Sequence, residues 1–130
     1  MSRDDGHGGG TTREDPGHAW YQVAQVGPCA VVRVGGEIDT RTAHRLHEAV
    51  TEAAGLASRV VIDLEHVTFV DSSGLGALIV ARNTAREGRG SVSLVSPPPV
   101  VRRLLGSTRL HDVFAIYDSL DEAISATELR

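Results

Sequence analysis

The sequence predicts an α/β domain built on a mixed, mostly parallel five-stranded sheet, with helices mainly on one face. Three observations carry this. From residue 29 onward, apolar runs of strand length alternate with segments of helical periodicity. The first two strand-like runs are separated only by Gly27-Pro28, a turn signal short enough to force antiparallel pairing. The chain has 130 residues, 41% hydrophobic and 23% charged, which suits one core and not two. Right-handed crossovers make the later strands parallel, and strands laid side by side in chain order gather their helices on one face. This reasoning leaves strand order open.

The elements follow in order. Residues 1–18 hold Gly, Asp, Thr and His and almost nothing apolar, so they cannot repay the entropy of ordering and read as a disordered polar tail. The folded domain is expected over residues 19–127, with 128–130 frayed. Residues 20–26 form a first strand, whose Trp20 packs at its start, and residues 29–34 a valine-rich second. Residues 35–40 read as a loop. Ala43, Leu46, Val50, Ala53 and Ala54 then recur at helical spacing, with Asp39 or Thr40 as N-cap and Gly55 as stop. Residues 59–64 form a third strand whose Val60-Val61-Ile62 run is typical of a strand covered on both sides. A second helix is expected from about residue 74 to 86, and a fourth strand over 91–95. Pro99 can open a third helix, where its missing N–H costs nothing, and Gly106 ends it. Leu110, Val113 and Phe114 make a small apolar cluster ahead of a fifth strand at 115–117. Ser119 with Glu122 has the pattern of a capping box, so a last helix spans about 120–126.

Composition excludes several functions. Net charge is −4, which argues against direct nucleic-acid binding, and Arg82, Arg86 and Arg89 read as a solvated helix face. The single cysteine, Cys29, cannot form an internal disulfide and lies in an apolar run, as a buried thiol does. No apolar stretch is long enough to span a membrane, and the N-terminus lacks the apolar core of a secretion signal, so the cytoplasm is expected. His7 and His18 are too sparse for a metal site, and no cofactor is expected. Enzyme signals also fail. There is no Gly-x-Ser-x-Gly elbow, no phosphate-binding Gly-x-x-x-x-Gly-Lys-Ser/Thr loop and no Gly-x-Gly-x-x-Gly. Of the histidines, only His66 lies near Ser72 in sequence.

The informative stretch is Phe69-Val70-Asp71-Ser72-Ser73-Gly74-Leu75-Gly76, where an apolar strand region hands over to a helix. Such a turn leaves backbone N–H groups unpaired. Asp71 or Ser72 can cap some of them, and the other hydroxyl then faces solvent at the positive end of the helix dipole, a good place for a phosphate. Gly74 and Gly76 read as permitting close approach of the helix to neighbouring backbone. Leu75, with Ala77 or Leu78, would offer an apolar contact beside the serines.

Val70-Asp71-Ser72-Ser73-Gly74-Leu75-Gly76-Ala77-Leu78-Ile79 resembles the signature of bacterial anti-sigma factor antagonists, small members of the STAS domain family. Gly36-Glu37-Ile38-Asp39 matches that family's other recurrent motif, and the resemblance extends over about residues 21–126. It implies a single STAS-like domain. It implies that Ser72 is the phosphoacceptor, that Asp39 takes part in partner contact and phosphorylation, and that Asp71, Ser73, Gly74, Leu75 and Gly76 shape the binding surface. The implied partners are an anti-sigma factor with serine kinase activity, which the unphosphorylated form binds so that a sigma factor is released, and a serine phosphatase that resets the switch. A phosphate would add about −1.5 to −2 charges beside Asp71 and near Asp39. Ser72 as a cap alone, or Asp39 as a cap alone, are the plainer alternatives. A scaffold or sensor subunit of a stress-signalling complex, or an accessory protein of a membrane transport system, are the other functional readings. The sequence does not set the oligomeric state.

Overall fold

The computed structural model describes residues 13–14 and 19–128. Six strands form one sheet in chain order: β1 (Arg13–Glu14), β2 (Ala19–Val26), β3 (Cys29–Ile38), β4 (Arg59–Val70), β5 (Ser91–Val95) and β6 (Ala115–Tyr117). The first two pairings, β1 with β2 and β2 with β3, are antiparallel, and the remaining three are parallel. The sheet is therefore mixed and mostly parallel, as expected, with one strand more than expected. The addition, β1, falls inside the stretch read as a tail; the rest of that stretch, with His7 and His18, lies outside the described residues.

Four helices complete the fold: α1 (Ala43–Ala54), α2 (Ser72–Glu87), α3 (Pro99–Ser107) and α4 (Leu120–Glu128). The crossovers β3–α1–β4, β4–α2–β5 and β5–α3–β6 share one hand, so α1, α2 and α3 cover the same face. Their buried side chains, among them Leu46, Val50, Leu78, Ala81, Val101 and Leu105, meet Ala30, Val32, Val34, Val60, Ile62 and Leu94. The alternate residues Cys29, Val31, Val61 and Val95 point to the other face, where Ala123 of α4 covers them. Cys29 is a buried free thiol. Trp20 packs at the start of β2 against His66, ring centroids 5.8 Å apart, and over Gly35, where a Cβ would collide with the indole.

Several boundaries differ from expectation. Both central strands run further than the apolar runs suggested: β3 continues through Gly35 and Gly36 to Ile38, and β4 continues past Leu64 to Val70. Register shifts between Arg33 and Gly35 and between Gly36 and Glu37 let the pair keep bonding past the glycines. Residue 42, not 39 or 40, is the α1 N-cap, and it makes no side-chain cap bond. Asp39 serves that turn through its carbonyl, which accepts from the Thr42 and Ala43 N–H groups at 3.0 and 2.8 Å. α2 begins two residues earlier than expected, at Ser72. Val113 is exposed and stands apart from the buried Phe114. The Ser119 cap forms, its hydroxyl accepting from Glu122 N–H at 3.2 Å, while the Glu122 carboxylate takes the N–H of Asp118.

Candidate functional site at the carboxyl ends of two parallel strands

β3 and β4 end side by side, with Ile38 opposite Val70. The Gly36–Asp39 and Asp71–Gly76 motifs are thereby delivered to one edge of the sheet, the carboxyl edge, where open α/β sheets place their sites. Two hydrogen bonds join them. The Asp71 N–H donates to the Ile38 carbonyl at 3.2 Å, and the hydroxyls of Thr40 and Ser73 share a bond of 3.0 Å. Gly74 makes the junction possible. A Cβ there would run into the Ile38 carbonyl oxygen and lie 2.8 Å from the Val70 side chain, so α2 can sit against the end of β3 only without one. Gly76 is different: a Cβ would meet nothing within 4 Å. Its expected role in close backbone approach is not what the structure shows. It leaves an open, flat spot on the exposed face of α2, between Ser72 and the exposed Val80.

The cap left open by the sequence is Asp71. Its backbone is extended and its carboxylate accepts from the Gly74 N–H at 3.0 Å. Ser72 is then the first helical residue. It is exposed, and its hydroxyl makes no hydrogen bond to a described residue. The N–H groups of the first turn have no intrahelical acceptor, so this hydroxyl stands at the positive end of a 16-residue helix.

Asp39 is buried behind this edge. Its carboxylate takes the Arg41 guanidinium at 2.7 Å and the Arg41 N–H at 2.9 Å. The bond from the guanidinium, opposed by desolvation and aided by the backbone donor, holds the Asp39 carboxyl below the usual carboxylate range. The same bond raises the Arg41 pKa. Arg41 also reaches Glu37 at 3.1 Å. Beneath them Thr42 is buried; its hydroxyl donates to the Glu37 carbonyl at 2.7 Å and accepts from the Asp39 N–H at 3.0 Å. Each acid near Ser72 thus has its own donor, Asp39 from Arg41 and Asp71 from Gly74.

Of the apolar contacts expected beside the serines, Leu75 and Ala77 are half-buried against the core, while Leu78 is fully buried and offers nothing to a partner. The exposed apolar surface comes instead from Phe69, 47% exposed, and Val100, also 47% exposed. With Val70, Val101 and Leu104 they line a groove of about 560 Å³ between the end of β4 and α3, rimmed by Arg103 and Ser107. Sequence reasoning named Phe69 in the informative stretch and Thr40 as a cap candidate but gave neither a role in the site, and it did not single out Arg41 or Thr42. His66 is turned to Trp20 and takes no part in the site. Among the described residues, no group of three or more His, Cys, Asp or Glu is placed to hold a metal ion. No helix among them is long and apolar enough to cross a membrane. An exposed hydroxyl beside unpaired helical N–H groups is suited to carry a phosphoryl group.

A family model described as the STAS domain matches residues 21–123. The chain belongs to this family. The anti-sigma-F factor antagonist RsfB of Mycobacterium tuberculosis is 34% identical over 105 residues, 79% of this chain and 84% of the relative. The crystal structure of an anti-sigma factor antagonist from Mycobacterium paratuberculosis is 30% identical, with a TM-score of 0.77 over 88% of this chain and 97% of that one. The unphosphorylated form of the anti-sigma factor antagonist SpoIIAA superposes with a TM-score of 0.71 over 85% of this STAS chain and 97% of its own, at 22% identity, a likeness of fold.

Proposed function

We propose that this STAS protein is an anti-sigma factor antagonist that works by partner switching. In its unphosphorylated form it binds an anti-sigma factor with serine kinase activity and so releases a sigma factor. Phosphorylation of Ser72 blocks that binding, and a serine phosphatase reverses it. The observation that carries the reading is the Ser72 hydroxyl, exposed and with no hydrogen bond to a described residue at the first position of α2, where the Gly36–Asp39 and Asp71–Gly76 motifs converge. The names of the relatives supply the class of partner.

The surface around Ser72 suits a protein partner. Gly76 leaves room for close approach, and Phe69 and Val100 supply the apolar contact that the centre of an interface needs. A phosphate at Ser72 would be held by the helix N-terminus, so the fold survives it. Its effect falls on the interface: about −1.5 to −2 charges and added bulk appear beside the partly exposed Asp71. Arg41 offsets the charge of Asp39, whereas Asp71 is bonded only by a neutral N–H and keeps its charge beside the phosphate, so the block is electrostatic as well as steric.

The test is a quantitative pull-down from native extract with wild type, Ser72→Ala and Ser72→Asp as baits, read by identity and amount of partner. Wild type and Ser72→Ala are expected to retain one kinase-like anti-sigma factor that Ser72→Asp loses. Equal retention of one partner by all three would reduce Ser72 to a structural position. Recovery of transporter subunits or of a multi-subunit signalling complex would move the protein to a transport or scaffold role.

A further inference from the structure

Nine arginines fall into two groups, and a tenth, Arg103 of α3, stands at the other end of the sheet, also with no carboxylate partner among the described residues. Arg33, Arg41, Arg102 and Arg109 each lie beside a carboxylate, and Arg45 lies over the Tyr21 ring. Arg59, Arg82, Arg86 and Arg89 have no carboxylate partner among the described residues, and Arg82 reaches only the Asn83 side chain, at 3.3 Å. These four are also gathered in one place. Arg82 and Arg86 stand one turn apart near the end of α2, Arg89 follows that end, and Arg59 opens β4 in register with Ser91. Two shallow recesses meet there along Ser91, Val92 and Ala115. One, of about 390 Å³, is lined by Arg82, Arg86 and Arg89, and the other, of about 380 Å³, by Arg59 and Arg89. This is toward the far end of the sheet from Ser72: along α2, Arg82 lies roughly 15 Å from it and the helix end beside Arg89 roughly 24 Å.

We propose that Arg59, Arg82, Arg86 and Arg89 form a second docking surface, for an acidic segment of a partner protein. Charge complementarity selects the occupant. The chain carries a net charge of −4, yet this end presents four uncompensated guanidiniums, with Glu87 the acid nearest in sequence and no ion pair to it. Guanidinium forks match carboxylates in pairs. Residues 82 to 89 extend over roughly 10 Å, further than one small anion reaches and comparable to successive carboxylates on a helix or strand. Shallow recesses suit a segment laid across them, whereas small ligands favour deeper enclosure. The proposal stands apart from the role of Ser72, and occupancy of this surface should be indifferent to that residue's modification.

The experiment is an NMR titration of the full chain with a short polyglutamate peptide and, separately, with inorganic tripolyphosphate. Polyglutamate is expected to shift the amides of residues 82–92 and the Nε–H signals of the four arginines. The Arg82→Gln/Arg86→Gln/Arg89→Gln variant should weaken this binding about ten-fold, from the loss of several exposed charge pairs. Arg103→Gln, at the other end of the sheet, and Ser72→Asp should leave it unchanged. Absence of shifts at residues 82–92, shifts spread evenly over all arginines, or an equal loss with Arg103→Gln would overturn the proposal. Binding of tripolyphosphate without polyglutamate would also overturn it, making the recess a small-anion site.

Discussion

Gly74 and Gly76 stand two positions apart in one helix and serve opposite purposes. At 74 a methyl group meets a backbone carbonyl that cannot move without breaking the β3–α2 junction. Gly74→Ala is therefore expected to destabilise the fold by about 2 kcal/mol or more. At 76 a methyl group meets open space, so Gly76→Ala should add roughly 0.5–1 kcal/mol through helix propensity while crowding the surface beside Ser72. Urea denaturation of the two variants measures both, and a loss of stability for Gly76→Ala would contradict the open geometry. Asp39 makes a different prediction. Its carboxyl is held below the ordinary carboxylate range by Arg41, so the folded state favours the ionised form. The stabilisation is present above the unfolded value, about pH 4, and is lost as pH falls through the lower folded value. Asp39→Asn should flatten the acid limb of the stability profile and leave the slope above pH 5 unchanged. An unaltered acid limb in pH-dependent denaturation would show that the Arg41 pairing contributes nothing.

At the scale of elements, the sequence was legible where one kind of signal acted alone and misleading where two competed. Alternation and helical spacing located every strand from β2 to β6 and all four helices, and the Gly-Pro turn set the one long antiparallel pair. The ends of β3 and β4 were read too short because Gly35-Gly36 and the polar Glu65-His66 pair look like loop, yet the parallel partner supplies hydrogen bonds that carry both strands onward. That extension matters, because it brings Asp39 and Ser72 to one edge. The α1 cap was misplaced for a related reason: Asp39 has the right chemistry, but Arg41 occupies its side chain and its carbonyl serves the helix instead. The groove between β4 and α3 was illegible, since Val100 and Leu104 reach Phe69 only through the tertiary fold. With half its surface already in water, Phe69→Ser should change stability by less than about 1 kcal/mol. In binding to the proposed anti-sigma factor partner it should cost ten-fold or more, as a buried aromatic anchor does. Calorimetric titration compared with thermal melts would separate the two effects, and an unchanged affinity would remove the groove from the interface.

For the whole molecule, the distribution of buried side chains sets which part opens first. One face of the sheet carries three helices, and α1 alone buries Leu46, Ala49, Val50 and Ala53. The other face has α4, of whose described side chains Ala123 alone is fully buried, with Leu120 and Ile124 half-covered over Cys29, Val31, Val61 and Val95. At roughly 25 cal/mol per Å² of apolar surface, so small a contact leaves α4 held far less firmly than α1. Local opening follows such differences in burial. Native-state hydrogen exchange should therefore show α4 amides exchanging before those of α1 and before those of β3 and β4. Ala123→Asp should release α4 while leaving α1 protected. The junction at Ser72 belongs to the firmly held face, where β3, β4, α1 and α2 meet. A phosphate added there acts on a rigid surface, so Ser72→Asp should leave the exchange pattern of α4 unaltered. If α4 instead proved as protected as α1, both faces would open as one cooperative unit, and a charge introduced at Ser72 would then be felt across the sheet.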